Sequence, residues 1–370
     1  RRGLRPLVLE RGDALAARWR ARYEGLRLNT FRAFSRLPGT RLPRDAGRYA
    51  SREAFIAYLE GYARDHGLDV RLGVEARRIE QHPHGGWEVV SPDGSFVSRY
   101  VVVATGWDAV PNLPGWAAEP SFAGQLLHAA EVGELGTFRD RQVLVVGAGN
   151  SGIDLAGLLV RVGANVTVSM RTPPNVFPRD WLGLPLGPSV LMAEHLPSRP
   201  VDALGRFIQW QVYGNLSSYG IPRASEGFMT RFRRAGVNPA IDDGFVSALK
   251  DGRARIVGEV ERLEREGAIL IGGDQSPADD VICATGYRRG LEPLVGHLGA
   301  LDERGAPRYA DGAPADPETP GLYFAGFRVA LSGSIRIAGK HARSIAEAIA
   351  TDTSARQLPQ SATSPGRGTT

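Results

Sequence analysis

Apolar and polar positions along the chain follow the patterns of short buried strands and amphipathic helices. Residues 6–10 form an apolar strand that ends in an acid, and an apolar stripe within residues 51–66 predicts a helix capped by Ser51. Further apolar runs predict a small β-meander that feeds a core strand, at residues 70–72, 77–79, 87–90 and 100–103. The first third of the chain is therefore expected to mix strands with one packing helix.

A second strand–helix–strand unit begins at Gln142. The segment 173–240 is rich in Pro, Trp and Leu without strand alternation, which predicts a helical insertion. Strand patterns return later in the chain, and a closing helix is expected at roughly 339–350. Beyond residue 351, the Ser, Thr, Pro, Gln and Gly content predicts a disordered tail over 351–370. The expected later strands are 254–256, 268–270 and 281–282.

The strongest motif lies between the strand 143–146 and the following helix. Its glycines Gly147, Gly149 and Gly152 have the G-x-G-x-x-G spacing, and Asn150 and Ser151 stand at the helix start. The first glycine permits a tight turn, the second lets backbone approach a pyrophosphate, and the third allows close helix packing. This context predicts a bound dinucleotide.

The next strand, residues 165–170, ends in Arg171, where a unit that binds NAD usually carries an acid for the ribose hydroxyl. An arginine at this position matches a 2′-phosphate, so the motif favours NADPH over NADH. Thr172 adds a hydroxyl donor beside it. An unrelated surface arginine remains the alternative, because the chain is rich in arginine.

Glu10 ends the strand of residues 6–10, as the acid of a dinucleotide-binding unit ends its second strand. Such an acid lies roughly 20 residues beyond the glycine-rich turn. The turn is therefore expected upstream of Arg1, and the chain is expected to be truncated at its N-terminus. A solvated acid at a strand end is the alternative interpretation of Glu10.

Two strands end in the same Ala-Thr-Gly tripeptide, each followed by an aromatic residue. Glycine permits a close turn and threonine a local hydrogen bond where a strand leaves one nucleotide domain for the next. A third buried strand has a glycine exit shortly before a helix start, which is suited to facing a flavin carbonyl or a pyrophosphate. The candidate cofactor contacts at these exits are Ala104, Thr105, Gly106, Thr285, Gly286, Gly326 and Phe327.

Composition narrows the class of protein further. The 370 residues are 42% hydrophobic and 23% charged, which is typical of a globular protein. The formal charge is +5, but all except two of the 45 basic residues are arginines, scattered among 40 acids, so nucleic acid is not an expected partner. No apolar stretch is long enough to predict a membrane span. The single cysteine, Cys283, excludes a dithiol redox pair and a zinc site made of cysteines. No other cluster of metal-binding residues stands out in the sequence. Because a chain with one cysteine fits a reducing compartment, we expect a cytoplasmic location.

With these motifs, the sequence up to about residue 350 resembles the class B flavin-containing monooxygenases, flavoproteins with two dinucleotide-binding domains. Within that family it is most similar to bacterial flavoproteins associated with cation transport and to plant indole-pyruvate monooxygenases. The resemblance implies an α/β fold with two Rossmann-like domains (the FAD/NAD(P)-binding fold), the second inserted in the first. The implied FAD-binding domain is 1–112 and 290–350 without its first βα unit, and the NADPH-binding domain is 113–289 with the helical insertion 173–240.

The identifying motif of the family is F-x-G-x-x-x-H followed by an aromatic residue four positions later. This sequence has Phe122, Gly124 and His128, but Val132 replaces the aromatic. The departure weakens the Baeyer-Villiger subtype more than it weakens the family. His128 is expected either to serve the chemistry or to orient a linker.

Two further segments carry the resemblance near the start of the chain. Arg18 and Trp19 match the flavin-adenosine contact of the family, and Asn29 and Thr30 match its loop beside the flavin ring. Asn29 aligns with the asparagine that supports the oxygenated flavin in animal-type members. An amide both donates and accepts hydrogen bonds without changing charge. The plain alternative is that Asn29 and Thr30 cap a turn.

The implied function is an FAD- and NADPH-dependent monooxygenase that inserts one oxygen atom from O2 into a small organic substrate through a C4a-hydroperoxyflavin. A flavin-dependent NAD(P)H reductase without oxygen insertion is a first alternative, and coupling of NADPH use to product would separate the two. A non-enzymatic nucleotide-sensing regulator linked to ion transport, or a fragment without function, is a second alternative. A homodimer is left open as the assembly.

Overall fold

A computed structural model describes residues 4–118 and 121–357, with side chains described up to residue 353. Its first elements are a short strand, a single helical turn and a longer helix, followed by a strand that pairs with the first. Ser51 caps the longer helix, because its Oγ accepts a hydrogen bond from the Ala54 amide at 3.2 Å. These elements are β1 (Leu7–Leu9), α1 (Ala17–Arg20), α2 (Arg52–Asp65) and β2 (Asp69–Arg71).

Next comes a meander, of which the sequence predicts two strands, then a core strand. The predicted strand at 70–72 corresponds to β2 and pairs with β1 instead, while the third meander strand was not predicted. The three antiparallel strands are β3 (Arg78–Gln81), β4 (Trp87–Ser91) and β5 (Gly94–Ser98), and the core strand is β6 (Val101–Val103). The parallel pair β1–β2 has exposed apolar side chains at Leu7 and Val8, and β6 exposes Val102. Parallel strands are normally covered on both faces, so these side chains mark incompletely covered strands.

The middle of the chain contains the second strand–helix–strand unit and starts where the sequence predicts. Two short strands come first, β7 (Val110–Pro111) and β8 (Gln125–His128), followed by β9 (Gln142–Val146), α3 (Asn150–Arg161) and β10 (Asn165–Ser169). Residues 152–160 of α3 are all buried, because the helix lies between the sheet and later parts of the chain. The sequence of α3 is apolar on most faces because the rest of the protein covers most of the helix.

The segment 173–240 was expected to be helical, and its strands show that this prediction was only partly right. Helices α4, α5 and α6 confirm that part of the segment is helical, but short strands accompany the helices. Their Pro and Gly neighbours interrupt the alternating pattern by which strands are found in a sequence. The segment contains β11 (Val176–Pro178), β12 (Asp180–Trp181), β13 (Leu184–Pro185), α4 (Gly187–Ala193), α5 (Ser198–Tyr213) and α6 (Phe228–Ala235), and β14 (Ala240–Asp242) pairs with β11.

The remaining elements complete two sheets and return the chain to the first region. They are α7 (Phe245–Lys250), β15 (Ala254–Val257), β16 (Val260–Glu264), β17 (Gly267–Leu270), β18 (Gln275–Pro277), β19 (Asp280–Cys283), β20 (Tyr287–Arg288), α8 (Glu292–Val295), β21 (Leu322–Phe324) and α9 (Ser334–Gln357). A five-stranded parallel sheet has the order β15-β10-β9-β19-β8, with β16–β18 as an antiparallel sheet beside it. Strand β21 pairs in parallel with β6, whereas β20 pairs antiparallel with β7. The α/β fold with a second dinucleotide-binding region inserted in the first is thereby confirmed.

The C-terminal helix is longer than the sequence predicts at both ends. Disorder from residue 351 was the wrong expectation for 351–357, which continue α9, while 358–370 lie outside the described residues. Thr351 and Thr353 donate to the carbonyl oxygens four residues earlier, and the Tyr100 hydroxyl donates to Asp352. Polar residues that suggest a loop are thus accommodated within the helix by back-bonding and by docking on the sheet.

Candidate active site

A cavity of about 330 Å³ lies where the two nucleotide-binding regions meet. One wall comes from residues 18–29, a second from residues 105–108 after β6, and a third from the first turn of α3. Seven residues predicted from the sequence line it together: Arg18, Trp19, Asn29, Thr105, Gly106, Asn150 and Ser151. Contributions from both regions to one cavity give two bound cofactors a place to meet.

The amide of Asn29 is held from two sides. Its Nδ2 donates to Oδ1 of Asn150 at 3.1 Å, and its Oδ1 accepts from the guanidinium of Arg179 at 3.5 Å. Asn150 is itself fixed, because its Nδ2 donates to the Pro239 carbonyl and its Oδ1 accepts from the Ile241 amide, both at 2.9 Å. These contacts define which end of the Asn29 amide is the donor. They link Asn29 to α3 and to the insertion, and so exceed what a simple turn cap requires.

Arg179 lies at the centre of a mostly buried polar network. Its guanidinium contacts the carboxylates of Asp154 and Asp243, and Tyr23 donates to Oδ2 of Asp154 at 2.9 Å. Burial is the main cause that raises the pKa of Asp154, and burial together with Asp154 raises the pKa of Tyr23 well above its usual range. The tyrosine therefore keeps its proton and donates a hydrogen bond to the carboxylate. The sequence did not single out Arg179, because its acidic partners are distant along the chain.

The glycine-rich turn has room for a side-chain Cβ at one of its three glycines and no room at the other two. A Cβ on Gly147 would lie 2.6 Å from the Ala284 carbonyl oxygen, and one on Gly152 would lie 1.9 Å from the Gly147 carbonyl oxygen. A Cβ on Gly149 would meet no atom within 4 Å. Gly147 and Gly152 are thus required by the protein's own backbone, while Gly149 faces open space. This arrangement fits the close approach of a dinucleotide pyrophosphate.

Arginines near α1 join the first region to the residues after β6. Arg18 donates to the carbonyl oxygens of Asp108 and Ala109, and Arg22 pairs with the Asp108 carboxylate and contacts Tyr287. Burial is the main cause that lowers the pKa of Arg18, and the nearby charges of Arg11 and Arg22 lower it further. This end of the cavity is therefore rich in positive charge and suits an anionic group.

Both ring nitrogens of His128 form hydrogen bonds with backbone groups. Its Nδ1 accepts from the Ala130 amide at 3.1 Å, so its Nε2 carries the proton and donates to the Gly286 carbonyl at 3.0 Å. Burial is the main cause that lowers its pKa, which favours this neutral form. In the same motif, a Cβ on Gly124 would lie 2.0 Å from the Asp279 carbonyl oxygen. The motif thus fixes where β8 and β19 come together.

The second Ala-Thr-Gly exit pairs with the connector after the first one. Thr285 donates through its hydroxyl to the backbone carbonyl of Asn112, and the backbone N–H of Asn112 donates to the Gly286 carbonyl at 3.0 Å. Arg289 stacks over the ring of Trp107, which follows the first exit, at 3.9 Å. The chain therefore passes between the two regions twice, and the two connections are bonded to each other at these exits. Ala104 directly follows β6, next to the cavity-lining Thr105.

The predicted 2′-phosphate residues lie at an exposed edge. The side chain of Arg171 is 78% exposed, with one guanidinium nitrogen 3.8 Å from Glu259, and Thr172 is also exposed. They follow β10 directly, outside the cavity lining. An arginine that is free to move can contact a ligand phosphate at this edge.

The remaining predicted contacts are spread around the first region. The Glu10 carboxylate accepts from the Gly12 amide at 2.8 Å, and the Thr30 hydroxyl is 2.6 Å from that of Ser35. Gly326 has a φ of +85°, which favours glycine at this strand exit. Phe327 is buried against Phe324, so its side chain belongs to the core and only its backbone is available to a cofactor.

Residues 32–181 match the family model described as pyridine nucleotide-disulphide oxidoreductase. The chain is 33% identical over 307 residues to the indole-3-pyruvate monooxygenase YUCCA1 of Oryza sativa subsp. japonica, covering 82% of this chain and 76% of the relative. The part of the chain that the structure describes contains no helix of the length and apolarity that a membrane crossing needs.

Solved structures share the fold over nearly the whole chain. The flavin-containing monooxygenase from Stenotrophomonas maltophilia superposes with a TM-score of 0.64 at 20% identity, covering 93% of this chain and 98% of the other. An oxidised steroid monooxygenase bound to NADP superposes with a TM-score of 0.75 at 17% identity, covering 96% and 82%. At these identities the likeness concerns the fold.

Proposed function

The chain belongs to the flavin-containing monooxygenase family, and from this premise we propose how its residues serve an FAD- and NADPH-dependent insertion of one oxygen atom from O2 into a small organic substrate. When bound, the flavin accepts a hydride from NADPH and supplies the oxygen chemistry. The observation that carries the proposal is the held amide of Asn29 in a cavity lined by both nucleotide-binding regions.

We propose that Asn29 is the catalytic residue. Asn150 accepts from its Nδ2 and Arg179 donates to its Oδ1, so the amide presents a fixed donor and acceptor to whatever lies in the cavity. Such preorganised dipoles stabilise developing charge without having to reorient during the reaction. Trp19 and Trp107 line the same cavity, and we propose that they limit the entry of water once the cofactors are bound.

The residues for NADPH come from the second region. The turn at Gly147, Gly149 and Gly152 would hold the pyrophosphate, with Asn150 and Ser151 at the start of α3 next to it. We propose that Arg171 and Thr172 bind the 2′-phosphate at the exposed edge. The residues Thr285 and Gly286 shape the crossing beside this site.

For FAD, the proposal uses residues of the first region, 1–112 and 290–350. Glu10 would accept from the ribose, Arg18 and Trp19 would contact the adenosine part, and Asn29 and Thr30 would lie beside the ring. The two strand exits would place backbone against the cofactor, through Ala104, Thr105, Gly106, Gly326 and Phe327.

The strand pairs of this region support its assignment as a nucleotide-binding domain. Such a sheet has the strand order 3-2-1-4-5. The parallel pair β2–β1 suits positions 3 and 2, and the parallel pair β6–β21 suits positions 4 and 5. We propose that a further parallel strand belongs between β1 and β6. Among the described strands, β1 pairs only with β2 and β6 only with β21, which leaves one edge of each free for this strand.

Rapid mixing tests the oxygen chemistry. The purified protein, loaded with FAD, is reduced with NADPH without air and then mixed with O2 while its absorbance is followed. We expect a slowly decaying species that differs from both oxidised and reduced flavin, with little peroxide released. Immediate recovery of the oxidised spectrum with an equivalent of peroxide would instead establish the reductase. Failure to bind flavin would favour the regulator or the fragment.

Two further proposals concern the setting of the enzyme. We propose a cytoplasmic location, since the lone Cys283 is buried and its thiol pKa is raised by burial to about 12, which leaves it unsuited to disulfide chemistry. We also propose a homodimer formed through the insertion, where exposed apolar side chains cluster along the chain. These are Leu182, Leu184, Met192, Leu204, Phe207 and Trp210. Sedimentation of wild type and Trp210→Ser would test that assembly.

A further inference from the structure

A second cavity, of about 570 Å³, lies between the segment 33–41 and the first half of α9. Its lining shares no residue with the candidate active site. Its volume is in the range of about 300–1,000 Å³ that is typical of small-molecule pockets. A concave site of this size suits a small ligand better than an extended polymer.

Five cationic side chains line this second cavity, and no acidic residue does. Within the described part of the chain, none of the five has a carboxylate oxygen within 4.0 Å, whereas Arg77, Arg78 and Arg253 each pair with an acid two residues away. Mutual repulsion of like charges around one cavity is unfavourable unless an anion compensates it. The five are Arg36, Arg41, Arg336, Lys340 and Arg343.

The position of three of these cations on α9 strengthens the argument. Arg336, Lys340 and Arg343 are spaced by four and three residues, so they share one face of the helix. They lie in its N-terminal half, whose first turn contains no acid. The N-terminal end of a helix carries positive partial charge and favours anions, so basic side chains there oppose helix stability. The positive end of the helix thus adds to the charge of Arg336, the one of the three cations that lies in the first turn.

The surroundings give the cavity a defined shape. Arg336 lies over the ring of Phe34, with its guanidinium carbon 5.8 Å from the ring centre, and one of its nitrogens is 3.4 Å from the Ser332 hydroxyl. The helix packs against Pro38 at Gly339, where a Cβ would be in ordinary contact with that ring at 3.5 Å. The Thr40 hydroxyl is 2.6 Å from that of Tyr58 on α2, which anchors the opposite wall.

We propose that this second cavity binds a small polyanion that carries two or more phosphate or carboxylate charges. Guanidinium groups match both anions with paired hydrogen bonds, and the lysine adds a point charge. The site is separate from the FAD and NADPH sites proposed above and does not depend on them. Its ligand would be recognised by charge number and spacing.

Calorimetry with pyrophosphate and, in a separate arm, citrate tests the proposal and identifies the chemistry. The test variant is Lys340→Gln with Arg343→Gln, and both side chains are exposed. The matched control is Arg199→Gln with Arg206→Gln, which removes two exposed charges from one face of α5. We expect at least one probe to bind wild type and the control equally, and the test variant roughly tenfold or more weakly.

Three outcomes would overturn the proposal. The first is that neither probe binds wild type at low ionic strength, where screening is least. Equal weakening in both double variants would mean that only net charge matters. Displacement of the probe by saturating FAD or NADPH would make the cavity part of a cofactor site. None of these readouts requires monooxygenase activity, so they leave the proposed function unaffected.

Discussion

Asn29 donates from its side-chain amide to Oδ1 of Asn150 at 3.1 Å, which joins the two nucleotide-binding regions across the candidate active site. The two residues are 121 positions apart in sequence. Asn150 is also the first residue of α3, directly after Gly149 of the glycine-rich turn. The proposed catalytic amide is thus positioned by the same turn that would hold NADPH.

Replacing Asn29 should uncouple NADPH use from oxygen transfer. Asn29→Ala removes the amide, and Asn29→Asp keeps its shape but places two acceptor oxygens against each other at Asn150. We expect both variants to oxidise NADPH while the fraction released as hydrogen peroxide rises, with oxygen transfer falling by roughly 100-fold. Parallel assays of NADPH and peroxide measure this ratio. Unchanged coupling in both variants would remove Asn29 from the chemistry.

Arg179 should act on the same reaction through Asn29. Arg179→Met leaves Asp154 buried without its cation, and we expect a loss of roughly 3 kcal/mol in unfolding free energy. The control is Arg161→Met, whose side chain is 47% exposed and lies 3.9 Å from Asp243, with an expected cost below about 1 kcal/mol. Denaturant unfolding measures both. Arg179→Lys separates positioning from stability, because it retains the charge without the planar fork.

If Arg179 positions Asn29, peroxide release should rise in Arg179→Lys while the KM for NADPH stays near its wild-type value. A purely structural role predicts lower stability with the same coupling ratio. The two roles are therefore distinguished by the peroxide ratio measured on folded protein.

The glycine-rich turn allows a paired test of fold against ligand. Gly152→Ala should cost roughly 3 kcal/mol, because its Cβ would collide with the Gly147 backbone oxygen at 1.9 Å. Gly149→Ala should preserve the melting temperature, since its Cβ meets open space and its φ is −77°. We expect Gly149→Ala to weaken NADPH binding by at least roughly tenfold. A variant that bound NADPH normally would place the pyrophosphate elsewhere.

Arg171 should decide between the two nicotinamide cofactors. Arg171→Ala is expected to raise the KM for NADPH by roughly tenfold, since a charge-assisted contact to phosphate is lost, while the KM for NADH stays unchanged. Steady-state reduction of the flavin with each cofactor measures the preference. Arg206→Ala, another exposed arginine, is the control for general charge effects. Parallel changes for both cofactors would contradict the assignment.

His128 should make stability depend on pH. Burial lowers its pKa from 6.5, so the folded protein binds its proton less readily than the unfolded chain. The contribution of neutral His128 to the unfolding free energy is therefore fully present above about pH 6.5. It is lost as the pH falls from there through the lower pKa of the folded state. His128→Gln should reduce the slope of the unfolding free energy against pH, measured by denaturant titrations at several pH values. His341→Gln serves as a comparison, because burial lowers the pKa of His341 as well. An unchanged slope in His128→Gln would contradict the neutral, buried form.

The local patterns of the sequence were sufficient for most elements near the site. The apolar strand before Gly147 and the spacing of the glycines predict β9 and α3, and Ser51 predicts the start of α2. These features depend on hydrophobic period and backbone geometry over a few residues. The short strands of the insertion escaped prediction because strands of two or three residues show no measurable alternation.

Tertiary structure alone decided which distant residues meet. The sequence identified Asn29 through a family resemblance and Asn150 through its place in a turn, but it contained no sign that their amides bond to each other. Arg179, His128 and the five cations of the second cavity acquire their partners, or lack them, only when separate segments pack together. Hydrogen bonds and charge interactions depend on distances in space, and local periodicity contains no information about those distances.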